Sequence, residues 1–218
     1  MNITLLSEFI DKQCMPLSLQ QELGRRGGLY IVGGVVRDFL VTGGLPEEVD
    51  FLVTGMERPE LERLLRRYGS AVYVGAAFGV FKFTFRGMTS DVVLPDFRGS
   101  GDTIDADLIN RDFTINSMAF KLPDYDIVDP LGGVADIEAE LIREDNAMSL
   151  LDDPLRVMRA VRFSQQLGFG IEEQTESHIR EAAKDIGRIS PERSDEELDR
   201  IMLKLEREVQ AISRLAGL

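Results

Sequence analysis

With 218 residues, the chain is long enough for one large domain or for a domain followed by a smaller helical unit. Its net charge of −13 argues against a broad nucleic-acid-binding surface, because phosphate contacts need clustered Lys and Arg, although it leaves room for a local basic cleft. The single cysteine, Cys14, excludes an internal disulfide framework and a cysteine-based zinc site, and the cytoplasm is the expected location.

The N-terminal residues differ from a signal peptide, because acids interrupt the apolar run and no basic segment precedes it. No apolar run is long enough to span a membrane, so no membrane association is expected. Residues 3–11 and 18–26 carry apolar side chains at helical spacing, which predicts two amphipathic helices.

A strand, a glycine turn, a helix and a second strand are predicted next. The apolar run at residues 30–32 stops at Gly33 and Gly34, and the second strand covers residues 49–53. A further helix begins at Pro59. Three more strands follow it, at residues 71–74, 80–85 and 89–94, the last two joined by a turn at Arg86 and Gly87.

The second half of the chain begins with a polar, glycine-rich stretch at residues 95–105, which predicts a mobile loop. Residues 107–120 are predicted to form a helix leading into a strand that pairs with residues 126–128. A glycine turn, a short helix and a strand end at 142–143 follow, and from Asp152 onward the pattern predicts three helices and no strand. This change places a domain boundary near residue 145.

Gly33 and Gly34 lie between a strand and a helix, where backbone N–H groups and the helix N-terminus form an anion site. Glycine permits positive φ and close approach of another group. Arg37 lies one turn into the helix and could add its charge to a bound phosphate. The alternative is that Arg37 is only a surface partner of a side chain four residues away.

Glu48 and Asp50 lie two residues apart at the second strand, so a strand would place both carboxylates on one face. Two carboxylates beside a phosphate site suit a divalent metal. Asp91 lies where a third carboxylate could face them. The alternative for Glu48 is a solvated acidic loop shared with Glu47.

Five motifs in order give the chain a resemblance to the class II tRNA nucleotidyltransferase and poly(A) polymerase family. They are GGVVRD at 33–38 with EVD at 48–50, INRDFTINSMAF at 109–120, DPLGGVADIEAELIR at 129–143, DDPLRVMRAVRF at 152–163 and ISPERSDEELDRIM at 189–202. Each motif alone is modest, but five at family spacing form a specific signal. Three positions depart from the family pattern: Glu48 replaces an aspartate, Asn110 an arginine and Asp152 a glutamate.

The resemblance implies an α+β fold: a nucleotidyltransferase head with a mixed or antiparallel sheet flanked by helices, at residues 1–144, and an all-α neck at residues 145–218. It implies Mg²⁺-dependent addition of CMP or AMP, from CTP or ATP, to an RNA 3′ end, with tRNA as the expected RNA. Catalytic roles would fall to Glu48, Asp50 and Asp91, with Glu48 and Asp50 as metal ligands.

The implied nucleotide ligands are spread along the chain: Gly33, Gly34, Arg37, Arg111, Asp112, Asp152, Asp153, Arg156 and Arg159. Arg37 and Arg111 would bind the triphosphate, because guanidinium offers paired donors to phosphate oxygens. Asp112 could orient Arg111 or reach the ribose.

In the family, a carboxylate and an arginine at the spacing of Asp153 and Arg156 pair with the base and select C and A, which share an amino group beside a ring acceptor. Asp153 followed by Pro154 also has the form of a helix N-cap and first residue. Likewise, Gly132 and Gly133 could be only a turn and helix start. The alternative to an active enzyme is a catalytically weak or inactive nucleotide-binding relative. The three departures from the family pattern and the net negative charge favour this alternative.

Overall fold

The computed structural model describes residues 2–74, 79–94, 104–146 and 149–216, with side chains through residue 203. Two compact units divide the chain: residues 1–111 with 115–137, and residues 112–114 with 138–218. The boundary near residue 145 stays a prediction. In the described part of the chain, no helix is long and apolar enough to cross a membrane.

The first unit combines helices and strands. Its helices are α1 (Ile3–Phe9), α2 (Leu17–Arg26), α3 (Gly34–Thr42), α4 (Arg58–Arg66), α5 (Ile104–Leu108) and α6 (Gly133–Glu138), which runs one residue past the unit. Its strands are β1 (Gly28–Val32), β2 (Asp50–Thr54), β3 (Ser70–Val74), β4 (Val80–Phe85), β5 (Met88–Val93), β6 (Ala119–Lys121) and β7 (Asp126–Val128). A π-helical turn at Ile10–Cys14 continues α1.

These seven strands form one mixed sheet in the order β3-β4-β5-β2-β1-β6-β7. Strands β2 and β5 are parallel, and every other neighbouring pair is antiparallel. Arg86 and Gly87, both at positive φ, form the predicted hairpin turn between β4 and β5. The predicted α+β fold with a helix-flanked mixed sheet is confirmed.

The two faces of the sheet differ in how they are covered. Phe51 and Val53 point to a large core with residues of α1, α2, α3 and α4. Leu52, on the opposite face, joins a smaller cluster with Ile104 and Leu108 of α5. Because side chains alternate along a strand, exposed Asp50 lies on this second, less covered face.

The second unit is mainly helical. It contains β8 (Leu141–Ile142), α7 (Ser149–Asp152), α8 (Leu155–Leu167), β9 (Gly170–Ile171), α9 (Glu173–Ala182) and α10 (Pro191–Ala216). Phe113 and Phe163 pack edge to face in its core, with ring centroids 5.8 Å apart. The prediction of no strand after Asp152 is wrong at β9, which pairs with β8 in parallel. Two residues are too few to show an alternating pattern.

The predicted helix at residues 107–120 is also wrong in its extent. Helix α5 ends at Leu108, a short 3₁₀ turn covers Thr114–Asn116, and β6 begins at Ala119. The side-chain amide of Asn110 donates to the backbone carbonyl of Ala106 at 2.6 Å. This bond takes the carbonyl that a continuing helix would use, which favours termination. Of the predicted loop, residues 95–103 lie outside the described residues, and 104–105 belong to α5.

Candidate functional site

The glycine turn that the sequence predicted lies between β1 and α3. Gly33 has φ 76° and ψ −143°, a conformation open mainly to glycine. A Cβ atom there would lie 3.0 Å from Nη1 of Arg111, and one at Gly34 would lie 3.3 Å from Nη2 of Arg37. Both guanidinium groups therefore approach the turn backbone, where only glycine leaves them room.

Arg37 is held in place by hydrogen bonds that include those to Asn116 and Asp38. Its Nη1 donates to Oδ1 of Asn116 at 2.6 Å, and its Nε donates to Oδ1 of Asp38 at 2.8 Å. Arg37 is only 7% exposed, so the alternative of a surface partner four residues away is wrong. A buried, fixed guanidinium suits a phosphate ligand, because little of its freedom remains to be lost on binding.

Arg111 is oriented by an acid that the sequence analysis did not single out. Its Nε and Nη2 both donate to Oδ2 of Asp107, at 3.0 and 2.6 Å. The two residues lie four positions apart, and Asp107 lies in α5, which packs on the less covered face of the sheet. Sequence spacing alone could have suggested this pair.

The carboxylates are arranged differently from the prediction. Strand β2 begins at Asp50, so Glu48 lies in the preceding loop, and strand alternation does not fix its direction. Asp91 is instead the register partner of Asp50, because β2 and β5 run side by side in parallel. The structure therefore brings together Asp50 and Asp91, with Glu48 two residues before Asp50 in the loop that leads into β2.

The negative charges of the neighbouring carboxylates affect the pKa of Asp50. Desolvation by the surrounding protein atoms raises this pKa, although the residue as a whole is exposed, and the negative charges of Asp91 and Glu48 raise it further. The positive charges of Arg111 and Lys82 oppose the shift. Concentrated negative charge with incomplete compensation is what a divalent cation would stabilise.

The donor set suits one kind of metal better than another. Within the described ranges, no group of three or more His, Cys, Asp or Glu side chains is poised to hold a metal ion. Mg²⁺ is usually bound by one or two carboxylates, with waters and substrate phosphates as its other ligands. Asp50 and Asp91, with Glu48 nearby, therefore fit Mg²⁺ delivered with a nucleotide rather than a metal in a closed protein cage.

A cleft of about 450 Å³ opens beside this group. Gly34 and Asp38 line it on the α3 side, and Glu48 and Asp50 line it on the β2 side. Its size lies within the usual range of small-molecule sites. Gly34 of the glycine turn thus borders the same cavity as Glu48 and Asp50, within the first unit.

The second unit holds the residues that the resemblance assigned to base recognition. Asp153 accepts hydrogen bonds from the backbone N–H of Leu155 at 3.2 Å and from Nη2 of Arg193 at 2.8 Å. Burial opposes its ionisation, but these two bonds together with the positive charges of Arg193 and Arg156 outweigh burial and lower the pKa of Asp153. Pro154 occupies the N-cap position of α8, one residue later than predicted, but Oδ1 of Asp153 accepts a hydrogen bond from the N–H of Leu155 at the start of the helix. This bond uses Oδ1 and leaves the negative charge of the Asp153 carboxylate intact.

Arg156 lies one turn further along and is also oriented within the second unit. Its Nη1 donates to Oγ of Ser149, and it lies 3.8 Å from Oδ1 of Asp145. Asp152, at the end of α7, is exposed. Arg156 is 22% exposed, so its guanidinium is both held and reachable.

Asp112 and Arg159 form a bidentate pair. Oδ2 of Asp112 accepts from Nε and Nη2 of Arg159, at 2.7 and 2.5 Å. Glu197 of α10 lies 3.7 Å from Nη1 of Arg159 and accepts from Nε of Arg162 at 2.6 Å. Sequence reasoning missed the role of Glu197, because its partners on α8 lie 35 and more residues away.

Sequence reasoning also missed Asn116, which lies 79 positions from its partner Arg37, and Lys82.

In the motif at residues 129–143, Asp129 accepts from the backbone N–H groups of Gly133 and Val134, at 2.7 and 3.0 Å. Those contacts agree with a turn and a capped helix start, the structural reading of that motif.

Comparison with known families decides the relationship. The poly A polymerase head domain matches residues 29–143, just over half of the chain. The chain belongs to this family. A second family, described as a probable RNA and SrmB-binding site of polymerase A, matches residues 168–208.

Individual relatives agree with the family. The chain is 35% identical over 189 residues to the CC-adding tRNA nucleotidyltransferase of Halalkalibacterium halodurans, covering 86% of this chain and 48% of that protein. It is 34% identical to the A-adding tRNA nucleotidyltransferase of Geobacter sulfurreducens, covering 93% of this chain and 25% of that protein. The solved complex of a CCA-adding enzyme with CTP has a TM-score of 0.76 and 30% identity, over 96% of this chain and 53% of that one. The chain thus spans about half or less of the length of these relatives.

Proposed function

We propose that the chain is the head and neck part of a template-independent nucleotidyltransferase, which adds CMP or AMP from CTP or ATP to an RNA 3′ end. The observation that carries this proposal is the glycine turn with two guanidinium groups beside the Asp50–Asp91 pair, in a chain of the poly A polymerase head family. The names of the relatives support tRNA as the RNA. A cytoplasmic location belongs to the same proposal.

In this reaction an RNA 3′-hydroxyl attacks the α-phosphate, the bond to pyrophosphate breaks, and the hydroxyl proton is released. Arg37 and Arg111, with the N–H groups of the glycine turn, would bind and orient the triphosphate. Asp50 and Asp91, with Glu48, would hold Mg²⁺. When bound, Mg²⁺ would stabilise the charge that develops on the attacking and leaving oxygens.

The second unit would supply base recognition in the proposed function. Arg156 can donate to an acceptor on a base edge, and Asp153 can accept from an exocyclic amino group. Ser149 and Arg193 already fix these two side chains. Asp152 would keep the acidic character of the motif, and Asp112 with Arg159 would hold the start of α8 in place.

Nucleotide incorporation tests the proposal. Labelled CTP and ATP are offered separately, with Mg²⁺, to tRNAs that end before CCA, after CC or with the complete CCA. The pattern of incorporation separates CC, A, CCA and poly(A) addition. Asp50→Ala should abolish incorporation, and wild-type turnover in that variant would refute the assignment.

The rival, a nucleotide-binding relative without turnover, is favoured by one observation: Glu48 lies before β2 rather than on it. In an active enzyme, Glu48→Asp should preserve or raise the rate. Glu48→Gln should lower the rate by about tenfold or more, because it removes a carboxylate that would help to hold Mg²⁺. A loss of about 1.4 kcal/mol of transition-state stabilisation lowers the rate tenfold. Nucleotide binding without incorporation in wild type and in Glu48→Asp would establish the rival.

A further inference from the structure

Three charged side chains lie in one row across three neighbouring strands. Lys82 of β4 is directly opposite Asp91 of β5, and Asp91 is directly opposite Asp50 of β2. Register partners point to the same face of a sheet, with Cβ atoms about 5 Å apart. The backbone pairing therefore fixes the order cation, carboxylate, carboxylate.

Lys82 occupies the oxygens that a metal would use. Its Nζ lies 2.6 Å from Oδ1 and 2.8 Å from Oδ2 of Asp91. The side chain of Lys82 is half exposed, and its flexible stem lets the ammonium leave without rearranging the strand. Asp91 thus already has a cation, but one that can be displaced.

The charge of Lys82 also reaches beyond Asp91. Asp50 and Asp91 are adjacent register partners, so the ammonium that Lys82 holds on Asp91 also lies within the range of Coulomb attraction to Asp50. Lys82 therefore acts on both carboxylates of the row.

We propose that Lys82 is the resident counter-cation of the Asp50–Asp91 pair and that it competes with the metal for Asp91. This inference rests on the proposed function, because it takes the metal site at Asp50 as given. Before the metal binds, Lys82 neutralises Asp91 and keeps two adjacent carboxylates from repelling each other. When the metal binds, the ammonium must release Asp91, and the affinity for the metal is lower by that competition.

Metal binding in the absence of nucleotide tests the inference. The whole 218-residue chain is titrated with Mn²⁺, and free Mn²⁺ is followed by electron paramagnetic resonance. Lys82→Met should lower the Kd for Mn²⁺ by about threefold to tenfold, because an exposed ion pair and one nearby positive charge are lost. Lys82→Gln, which keeps a polar head, should act in the same direction if Lys82→Met folds poorly.

The sheet offers a matched control. Lys121 of β6 lies directly opposite Asp126 of β7, and β1 lies between β6 and β2. Lys121→Met removes the same charge from the same kind of cross-strand pair, but without a second carboxylate in register. Its Kd for Mn²⁺ should stay within about twofold of wild type, because solvent ions screen the more distant charge.

Two further variants separate the outcomes. In an Asp91→Asn background, Lys82→Met should lose most of its effect, because the contested ligand is gone; a full effect there would overturn competition for Asp91. Asp50→Ala should weaken Mn²⁺ binding, and if it does not, the proposed metal site itself fails. Asp50-dependent binding that Lys82→Met and Lys82→Gln leave unchanged would overturn this inference and spare the proposed function.

Discussion

At the scale of single residues, Gly33 both forms a turn and leaves room for a neighbouring side chain. Its φ of 76° and ψ of −143° lie where other residues are strained, and the space a side chain would fill holds the guanidinium of Arg111. Gly43 shares the positive φ, at 68°, but a Cβ there would meet nothing within 4 Å. Substitutions at these two glycines therefore separate the effect of backbone strain from the effect of displacing Arg111.

We expect Gly33→Ala to destabilise the chain by about 1–3 kcal/mol and to raise the KM for the nucleotide, because Arg111 must move. Gly43→Ala should cost about 1 kcal/mol through strain alone and leave the KM unchanged. Urea titrations and initial rates at varied CTP or ATP check both. Equal KM values in the two variants would contradict a role for Arg111 at the turn.

Asp50 carries a stability cost in the metal-free chain. Its pKa is higher in the folded chain than in the unfolded one, so ionising it above that pKa disfavours folding. The cost is present in full at neutral pH and disappears as the pH falls below its ordinary range. If Asp50 holds the metal as proposed, function and stability conflict at this position.

Asp50→Asn should raise the Tm at pH 7.5 in EDTA, by about 1–3 °C for a chain of this length. The gain should shrink as the pH is lowered, because the wild-type carboxyl then becomes protonated. Asp126→Asn, an exposed position on the same sheet, should change the Tm by less than about 1 °C. A lower Tm for Asp50→Asn in differential scanning calorimetry would show that the carboxylate stabilises the fold.

At the scale of elements, α10 packs on α8 through a buried carboxylate. Glu197 is 2% exposed and accepts from Nε of Arg162 at 2.6 Å and from Nη1 of Arg200 at 2.8 Å. Burial lowers the pKa of Arg162, and Glu197 opposes that shift. Arg162 would be left buried without this carboxylate if Glu197 were removed, and breaking a buried ion pair is costly, so this contact helps to fix where α10 lies on α8.

Glu197→Ala should lower the free energy of unfolding by about 3 kcal/mol. Glu196→Ala, its exposed neighbour, should change it by less than about 0.5 kcal/mol. Replacing both Glu197 and Arg162 with Met should restore much of the loss, because no charge is then left buried alone. Urea titrations of the four proteins measure these differences, and a double variant as unstable as Glu197→Ala would contradict the pairing.

At the scale of the whole molecule, the net charge of −13 sets the terms on which an RNA can bind. Arg37, Arg111, Arg156 and Arg159 each lie within 4 Å of a carboxylate of their own unit. In the proposed function, their charges would act locally, on a nucleotide, rather than as a broad basic surface. The chain also covers about half or less of relatives whose names describe activity on tRNA.

We therefore expect this chain to bind tRNA weakly and with a shallow dependence on salt. Few phosphates are contacted, so the slope of log K against log salt should be shallower than about −3. Fluorescence anisotropy of a labelled tRNA between 50 and 200 mM salt measures it. Tight binding with a steep slope would reveal a basic surface that the charge distribution does not suggest.

The sequence by itself determined the local features of this protein. It predicted the strand, glycine turn and helix around Gly33, the hairpin turn at Arg86, and most of the helices of the second unit. These depend on residues close in the chain: glycines at positive φ, apolar periodicity, and caps within a few positions. It also identified Asp50 and Asp91 as candidates, because carboxylates on strands beside a phosphate site suit a divalent metal.

Only the tertiary structure decided which side chains meet. Parallel pairing of β2 with β5 made Asp91 the partner of Asp50 and left Glu48 in a loop, and antiparallel pairing of β4 with β5 added Lys82 to the row. The partners of Arg37 and Arg162 came from 79 and 35 positions away. Strand register and helix packing are set by the burial of whole faces, and no local pattern encodes which distant residue will lie opposite.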